Sequence, residues 1–341
     1  MRYFLIVLML FFSPIVKGQD IHFSQFYENA ILRNPALTGI FKGDYKAGVN
    51  YRNQWSSFDN RPFTTGLASA ESKVRIKEDG ADFLSFGLTS SYDRSGSIDF
   101  TSMQLYAAAN YNKFIEEKHG TYLSLGLAFG YIQRSFDLSK MSFASQYINQ
   151  GYSPGNPSYE TLNFKRVQNF DVGLGLSLNG SLGAENKHNY YLGLAAYHAT
   201  KPSHSFRGQG QIVNLLPKYV VSLGLNMTLN EKNSIAFHLN QTNQKPYKET
   251  IAGALFGWKK ENSNLKNPLV FYAGIFYRYQ DAFVPTLKVD FSIYSITMSY
   301  DVTTSSTRVA NNFLGGYEVS MYCKGIFPSH NYTENFKCPK F

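Results

Sequence analysis

Apolar and polar residues alternate one for one through most of the chain beyond Gly43. Leu123, Leu125, Leu127, Phe129 and Tyr131 alternate with Ser124, Gly126, Ala128 and Gly130. Val172, Leu174, Leu176 and Leu178 alternate with Gly173, Gly175, Ser177 and Asn179. The same period runs from Tyr219 to Thr228, from Ile235 to Asn240 and from Ile296 to Asp301. Successive side chains of a strand point to opposite faces, so each segment predicts a strand with one apolar and one polar face. About 14 such strands start near Asp44, Phe63, Phe83, Ser97, Thr121, Val167, Asn189, Lys218, Asn233, Glu249, Leu269, Ala282, Ser292 and Leu314, each close to the roughly 9–11 residues of a tilted membrane crossing.

The polar face is built of Ser, Gly, Asn, Thr and Ala, whereas a soluble sandwich shows Lys, Glu and Thr to water. The apolar face is rich in Leu, Phe and Tyr and almost free of charge. A charge facing lipid near the bilayer midplane costs about 2–4 kcal/mol, and an apolar exterior around a small polar interior marks a transmembrane barrel. The mature chain has no apolar run of the roughly 18 residues a membrane helix needs. Without helices, only a closed barrel satisfies every backbone group in lipid. The fold expected is therefore an all-β, antiparallel outer-membrane barrel over residues 43–322. Counted from a periplasmic N terminus, the odd connections include the long segments Ser135–Arg166, Ala199–Pro217 and Thr303–Asn312. The even ones are mostly short, as at Lys77–Gly80, Glu116–Gly120, Gly183–His188 and Leu229–Asn233; Lys259–Asn267 is long for that side. Short periplasmic turns and longer outer loops are the pattern of such barrels.

Composition agrees. Aromatic residues reach 16% and charged residues only 17%. Residues 1–18 read as a secretory signal, with Arg2, an apolar run from Phe4 to Phe12, Pro14 and a small residue at Gly18. That run is too short for a membrane anchor. Cleavage would lower the net charge from +9 to about +7. The basic residues are scattered singly, so nucleic acid is not expected as a partner. The excess suits anionic lipid headgroups or an acidic partner, or is a solvated surface excess. Two cysteines exclude a four-ligand zinc site and a disulfide mini-scaffold, and no cofactor or metal is expected.

Several strings resemble one family. QDIHFSQFYENAILRNPALTG (19–39) is followed by GVNYRNQWSSF (48–58) and Pro62-Phe63-Thr64. Near the end come ITMSYDVTTSS (296–306), GGYEVSM (315–321) and the closing CPKF (338–341). Together they resemble the PorP/SprF family of outer-membrane proteins of the type IX secretion system of Bacteroidetes. The likeness spans the mature chain in order, though the middle matches only in pattern. It implies a non-enzymatic barrel that supports secretion and surface anchoring of large adhesins, which in gliding bacteria support movement. Its implied partners are the C-terminal sorting domain of the adhesin, other secretion components and outer-membrane lipid.

Three groups of residues stand out. Phe23, Ser24, Gln25, Phe26, Asn34 and Pro35 lie in residues 19–42, which lack alternation and form either a plug or docking arm or a tuck that closes the barrel floor. Tyr51, Arg52, Gln54 and Trp55 end the first strand, where Tyr and Trp suit the headgroup layer. Arg52 and Gln54 serve either the wall or contacts with the N-terminal segment or a partner. Tyr300, Asp301, Gly316 and Glu318 belong to the last two strands, with both carboxylates on small-residue faces and so directed into the lumen. There they line a pathway or join a hydrogen-bond network. Tyr147, Tyr152, Tyr159 and Phe206 are candidate aromatic anchors in the outer loops. Cys323 and Cys338 bracket a tail (323–341) and are expected to pair in an oxidising envelope, with both chain termini periplasmic. The bracketed His330 adds too few ligands for a metal site.

His238 and Asn240 share a strand face, a spacing seen in outer-membrane phospholipases, but no serine partner is evident and no enzyme is expected. The alternatives are an outer-membrane porin or hydrophobic-solute transporter, though the opposed charge clusters of a porin eyelet are missing from the alternating runs, and a soluble exported β-sandwich.

Overall fold

The computed structural model describes residues 20–55, 62–76, 80–148, 151–159, 165–183, 185–206, 213–260, 269–305 and 313–327. The expected signal peptide, Cys338 and His330 lie outside them. Sixteen strands follow in chain order: β1 (Tyr45–Gln54), β2 (Phe63–Arg75), β3 (Phe83–Ser95), β4 (Phe100–Glu116), β5 (Thr121–Ser135), the short β6 (Tyr147–Ile148) and β7 (Gly151–Tyr152), β8 (Arg166–Leu182), β9 (His188–Tyr197), β10 (Lys218–Thr228), β11 (Asn233–Gln244), β12 (Tyr247–Lys260), β13 (Leu269–Arg278), β14 (Ala282–Phe291), β15 (Tyr294–Thr303) and β16 (Leu314–Gly325). All but β6 and β7 form one closed antiparallel barrel of 14 strands, sealed where β1 pairs with β16. Among the described residues no helix is long and apolar enough to cross a membrane.

The barrel is inside-out relative to a soluble protein. On β5, Leu125 and Phe129 are each 57% exposed while Ser124, on the other face of the same strand, is fully buried. Leu174, Leu192, Leu194, Leu223, Leu287 and Met298 likewise face outward. Exposed charges on this surface sit near strand ends, as at Arg94 and Lys113. Trp55 and Trp258 are exposed at opposite rims, the level preferred by an amphipathic ring. This polarity excludes the sandwich, which would press those Leu and Phe rows together.

Three strand starts differ from the sequence expectation by two residues or more, and three others by one. Phe100 and Tyr294 begin later than predicted because the positive φ of Gly96 and Asp99, and of Ser292, belong to the preceding turns. Tyr247 begins earlier, because β11 and β12 are joined by only Lys245–Pro246. The loop-length rule also holds only in part. The long connections after β5 and β9 share one end, but the turns after β3, β11 and β13 at that end are short. Cys323 is not beyond the last strand: β16 continues to Gly325, opposite Tyr45.

Residues Asp20–Phe41 run through the lumen. Asp20 meets Lys218 and Gln244 at the start of β10 and the end of β11, the end that carries the long loops. Phe41 reaches Lys73 at the opposite end, where β1 begins and β16 stops. Asp20 and Gly325 therefore lie at opposite ends of the barrel; the chain termini themselves, expected on one side from sequence, lie outside the described residues. The reason is room: small residues on the inner wall leave a bore wide enough for a chain.

Candidate functional site

The site is the contact between this lumenal segment and the inner wall. At its centre the chain makes three tight turns, Phe26–Glu28, Ala30–Arg33 and Pro35–Leu37. Asn34 starts the last turn, its Oδ1 accepting from Ala36 N at 2.8 Å, with Pro35 supplying the fixed φ of a first helical position. The Asn34 side-chain amide donates to the carbonyls of Leu176 on β8 and Leu194 on β9, both at 3.2 Å. Ala36 O accepts from Asn110 at 3.0 Å and Ser177 at 2.9 Å. Such contact needs a bare wall. A Cβ on Gly126 would overlap the Pro35–Ala36 backbone, and one on Gly175 or Gly193 would overlap the Asn34 side chain. Part of the glycine on the polar face of β5, β8 and β9 is thus space for the segment.

Above this groove the contact is ionic. Arg52 and Glu318 are cross-strand neighbours on β1 and β16, each 1% exposed, with Arg52 Nη1 2.6 Å from Glu318 Oε1. Arg52 Nη2 lies 2.8 Å from Asp301 Oδ2 on β15. Arg278, at the end of β13, binds the same Asp301 oxygen at 3.1 Å and Asp281 at 2.9 Å. Ser24 sits among them: its hydroxyl donates to Asp301 Oδ1 at 2.7 Å and accepts from Arg52 at 3.3 Å and from Arg278. The backbone N–H groups of Ser24 and Gln25 donate to the two Glu318 oxygens at 2.5 and 2.9 Å. Gln25, fully buried, donates to Ser299 at 3.0 Å and accepts from Ser320 at 2.6 Å. Two buried guanidiniums and two buried carboxylates, with the more exposed Asp281 as a third anion on Arg278, thus surround a neutral segment, so that each buried charge has a partner.

Similar contacts run to both ends. Glu28 pairs with Lys288 at 2.7 Å and Lys46 at 3.6 Å, and Tyr322 donates to Asn29 at 2.7 Å. Phe26 packs among Ile251, Leu255, Phe276 and Val284. Arg33 donates to the Tyr191 hydroxyl at 2.5 Å and lies over its ring. At the top, Asp20 pairs with Lys218 at 2.6 Å and accepts from Gln104 at 2.8 Å. Close by, His198 Nδ1 meets Asp171 at 2.9 Å, and its Nε2 lies 3.5 Å from Asp20, a contact of charge rather than a hydrogen bond. Burial opposes protonation of His198, but the Asp171 hydrogen bond and Asp20 outweigh it, so its pKa is raised.

Of the residues singled out from sequence, Ser24, Gln25, Arg52, Asp301 and Glu318 converge in one cluster. Gly316 lies opposite Asp301 on β16. Phe23, Phe26, Asn34 and Pro35 are buried along the bore. Tyr51 and Trp55 are exposed at the rim, and Tyr300 and Gln54 are half-buried. Tyr147, Tyr152 and Tyr159 are exposed on the loop after β5, whereas Phe206 packs against Phe136 and Phe100. His238 stacks on Tyr27 at 4.9 Å and meets the Tyr191 hydroxyl at 3.1 Å, a packing role. Cys323 is half-buried on β16. Sequence reasoning missed Asp20, Glu28, Lys46, Lys218, Arg278 and Lys288. The available signal was a charge in register with the inward face, as at Lys46 beside Gly48 and Asn50 and at Lys288 beside Thr286.

The family model described as type IX secretion system membrane protein PorP/SprF matches residues 15–321. No curated protein matches the chain. Similar solved structures include the Ralstonia pickettii toluene transporter TbuX, with 12% identity over 87% of this chain and 93% of that one at a TM-score of 0.49. A Pseudomonas aeruginosa FadL homologue has 12% identity over 85% and 92% at 0.47. CdiB from Acinetobacter baumannii has 8% identity over 82% and 60% at 0.45.

Proposed function

The chain belongs to the PorP/SprF family of type IX secretion system membrane proteins, and from that premise we propose that this outer-membrane barrel binds the C-terminal sorting domain of a secreted adhesin and supports its retention at the cell surface, in gliding cells for movement. The observation that carries a binding role over a permeation role is the filled bore, in which Ser24 and Gln25 are tied to Arg52, Asp301 and Glu318. A porin needs an aqueous path. Here the protein's own chain engages the polar inner wall from Lys218 and Gln244 towards one end to Lys73 towards the other.

The end carrying the long loops is the outer face in this reading, and exposed Tyr147, Tyr152 and Tyr159 are its aromatic contacts. The opposite end, where β16 stops, meets other secretion components in the periplasm. There Cys323 pairs with Cys338, so a non-reducing gel of the intact protein would run differently after reduction. The leader is cleaved after Gly18, which N-terminal sequencing would report as a start at Gln19.

In a deletion strain the adhesin should be synthesised yet missing from the surface, and the tagged barrel in mild detergent should co-purify it. Normal surface display without the gene would overturn the proposal. Replacing Tyr147, Tyr152 and Tyr159 together by Ala should weaken co-purification while leaving heat-modifiable gel mobility unchanged.

A further inference from the structure

Above the lumenal segment, at the long-loop end, the bore opens into a cavity of about 680 Å³ floored by Asp20, Ile21 and His22. Its charged residues are nearly all committed. Asp20 is held by Lys218, Glu249 and Asp281 lie against Arg278, and Asp93 accepts from Thr65 at 2.6 Å.

Two are not: Lys248, which is exposed, and Arg134, which is buried. Arg134 lines the cavity and is only 9% exposed; its side chain has no hydrogen bond or ion pair among the described residues, and its buried Nε is without a partner. Ser102 stands directly opposite it in the β4–β5 register and lines the same cavity, 5% exposed, with an unpartnered hydroxyl. Asp93 is one strand further along the same row, opposite Ser102 on β3. Two strand spacings, about 10 Å of backbone, separate it from Arg134, and the two form no ion pair.

A buried guanidinium without a partner is costly. Its planar fork matches a carboxylate in two parallel hydrogen bonds, and an adjacent hydroxyl supplies a third donor. The nearby Asp93 and Asp20 disfavour a second negative charge. Trp55, Phe63 and Phe100 complete the wall with apolar surface, and the volume is that of an ordinary ligand site. We infer that this cavity is a carboxylate-binding site, with Arg134 and Ser102 holding a singly charged carboxylate of a polypeptide end or of a small free acid. The inference rests on the cavity alone and stands whether or not the exported partner is an adhesin.

The chain has two tryptophans, and only Trp55 lines the cavity, so a Trp258→Phe background makes Trp55 emission the reporter. The full-length detergent-solubilised barrel is titrated with acetate, an acid-ended tetrapeptide, the same peptide amidated, and inorganic phosphate. Saturable responses to the carboxylates are expected, with none to the amide. Arg134→Gln should weaken them about tenfold or more, and Ser102→Ala a few-fold. Heat-modifiable mobility checks that each variant is folded. A peptide acid saturating well below acetate assigns a polypeptide end; equal concentrations assign a small acid. No saturable response to either carboxylate, a response unchanged in Arg134→Gln, tighter binding of phosphate, or equal binding of acid and amide would overturn the site.

Discussion

At Ser24 and Gln25 the lumenal segment meets two guanidiniums and two carboxylates, whereas at Asn34–Ala36 it meets glycines and strand carbonyls. The ionic contact straddles the closure of the barrel, since Arg52 is on the first strand and Glu318 on the last. It is sensitive to subtraction, because a buried charge deprived of its partner cannot be rehydrated. The glycine groove is sensitive to addition, because a single methyl group occupies space the segment needs. One segment is therefore held in one register by two unlike devices, electrostatic above and steric below.

The largest test removes both contacts at once. Deleting residues 20–41 should convert a barrel with little conductance in planar bilayers into an open pore. A deletion variant that inserts yet stays closed would mean that other parts fill the bore. Next, Arg52→Ala leaves Asp301 and Glu318 with less countercharge and should destabilise the folded barrel by about 3–5 kcal/mol, read by urea unfolding in detergent micelles. If the glycine groove dominates, the loss will be far smaller. Gly175→Val probes the steric side and should cost about 1–3 kcal/mol, with faster proteolysis within residues 20–41. An unchanged cleavage rate would argue that the groove is slack.

The smallest effect concerns pH at the upper end. The His198 pKa is raised in the folded protein, so its contribution to stability is complete below the unfolded value of about 6.5 and is lost as pH rises through the folded value. Thermal unfolding temperature should fall modestly between pH 6 and pH 9, and His198→Asn should flatten that slope. A stronger slope in the variant would assign the pH response to other groups.

Parts of this picture were open to sequence reading. The period of two with inverted polarity announced the barrel, and the strands starting at Phe63, Phe83, Thr121, Lys218, Asn233, Leu269, Ala282 and Leu314 begin where the alternation does. The side on which Arg52, Asp301 and Glu318 lie follows from the same parity. Their partners do not. Ser24 and Glu318 are 294 positions apart, and nothing local in either tells that one caps the other. The unpaired state of Arg134 is equally invisible in a strand that reads as routine alternation.

The chain by itself determined the architecture: side chains alternate across a strand by covalent geometry, and lipid tolerates only one kind of residue on the outer face. Only the tertiary structure decided the course of residues 20–41 through the bore, the pairing of each buried charge and the cavity left above them. Those outcomes depend on which walls face each other once the ring closes, a distance in space that sequence separation does not encode.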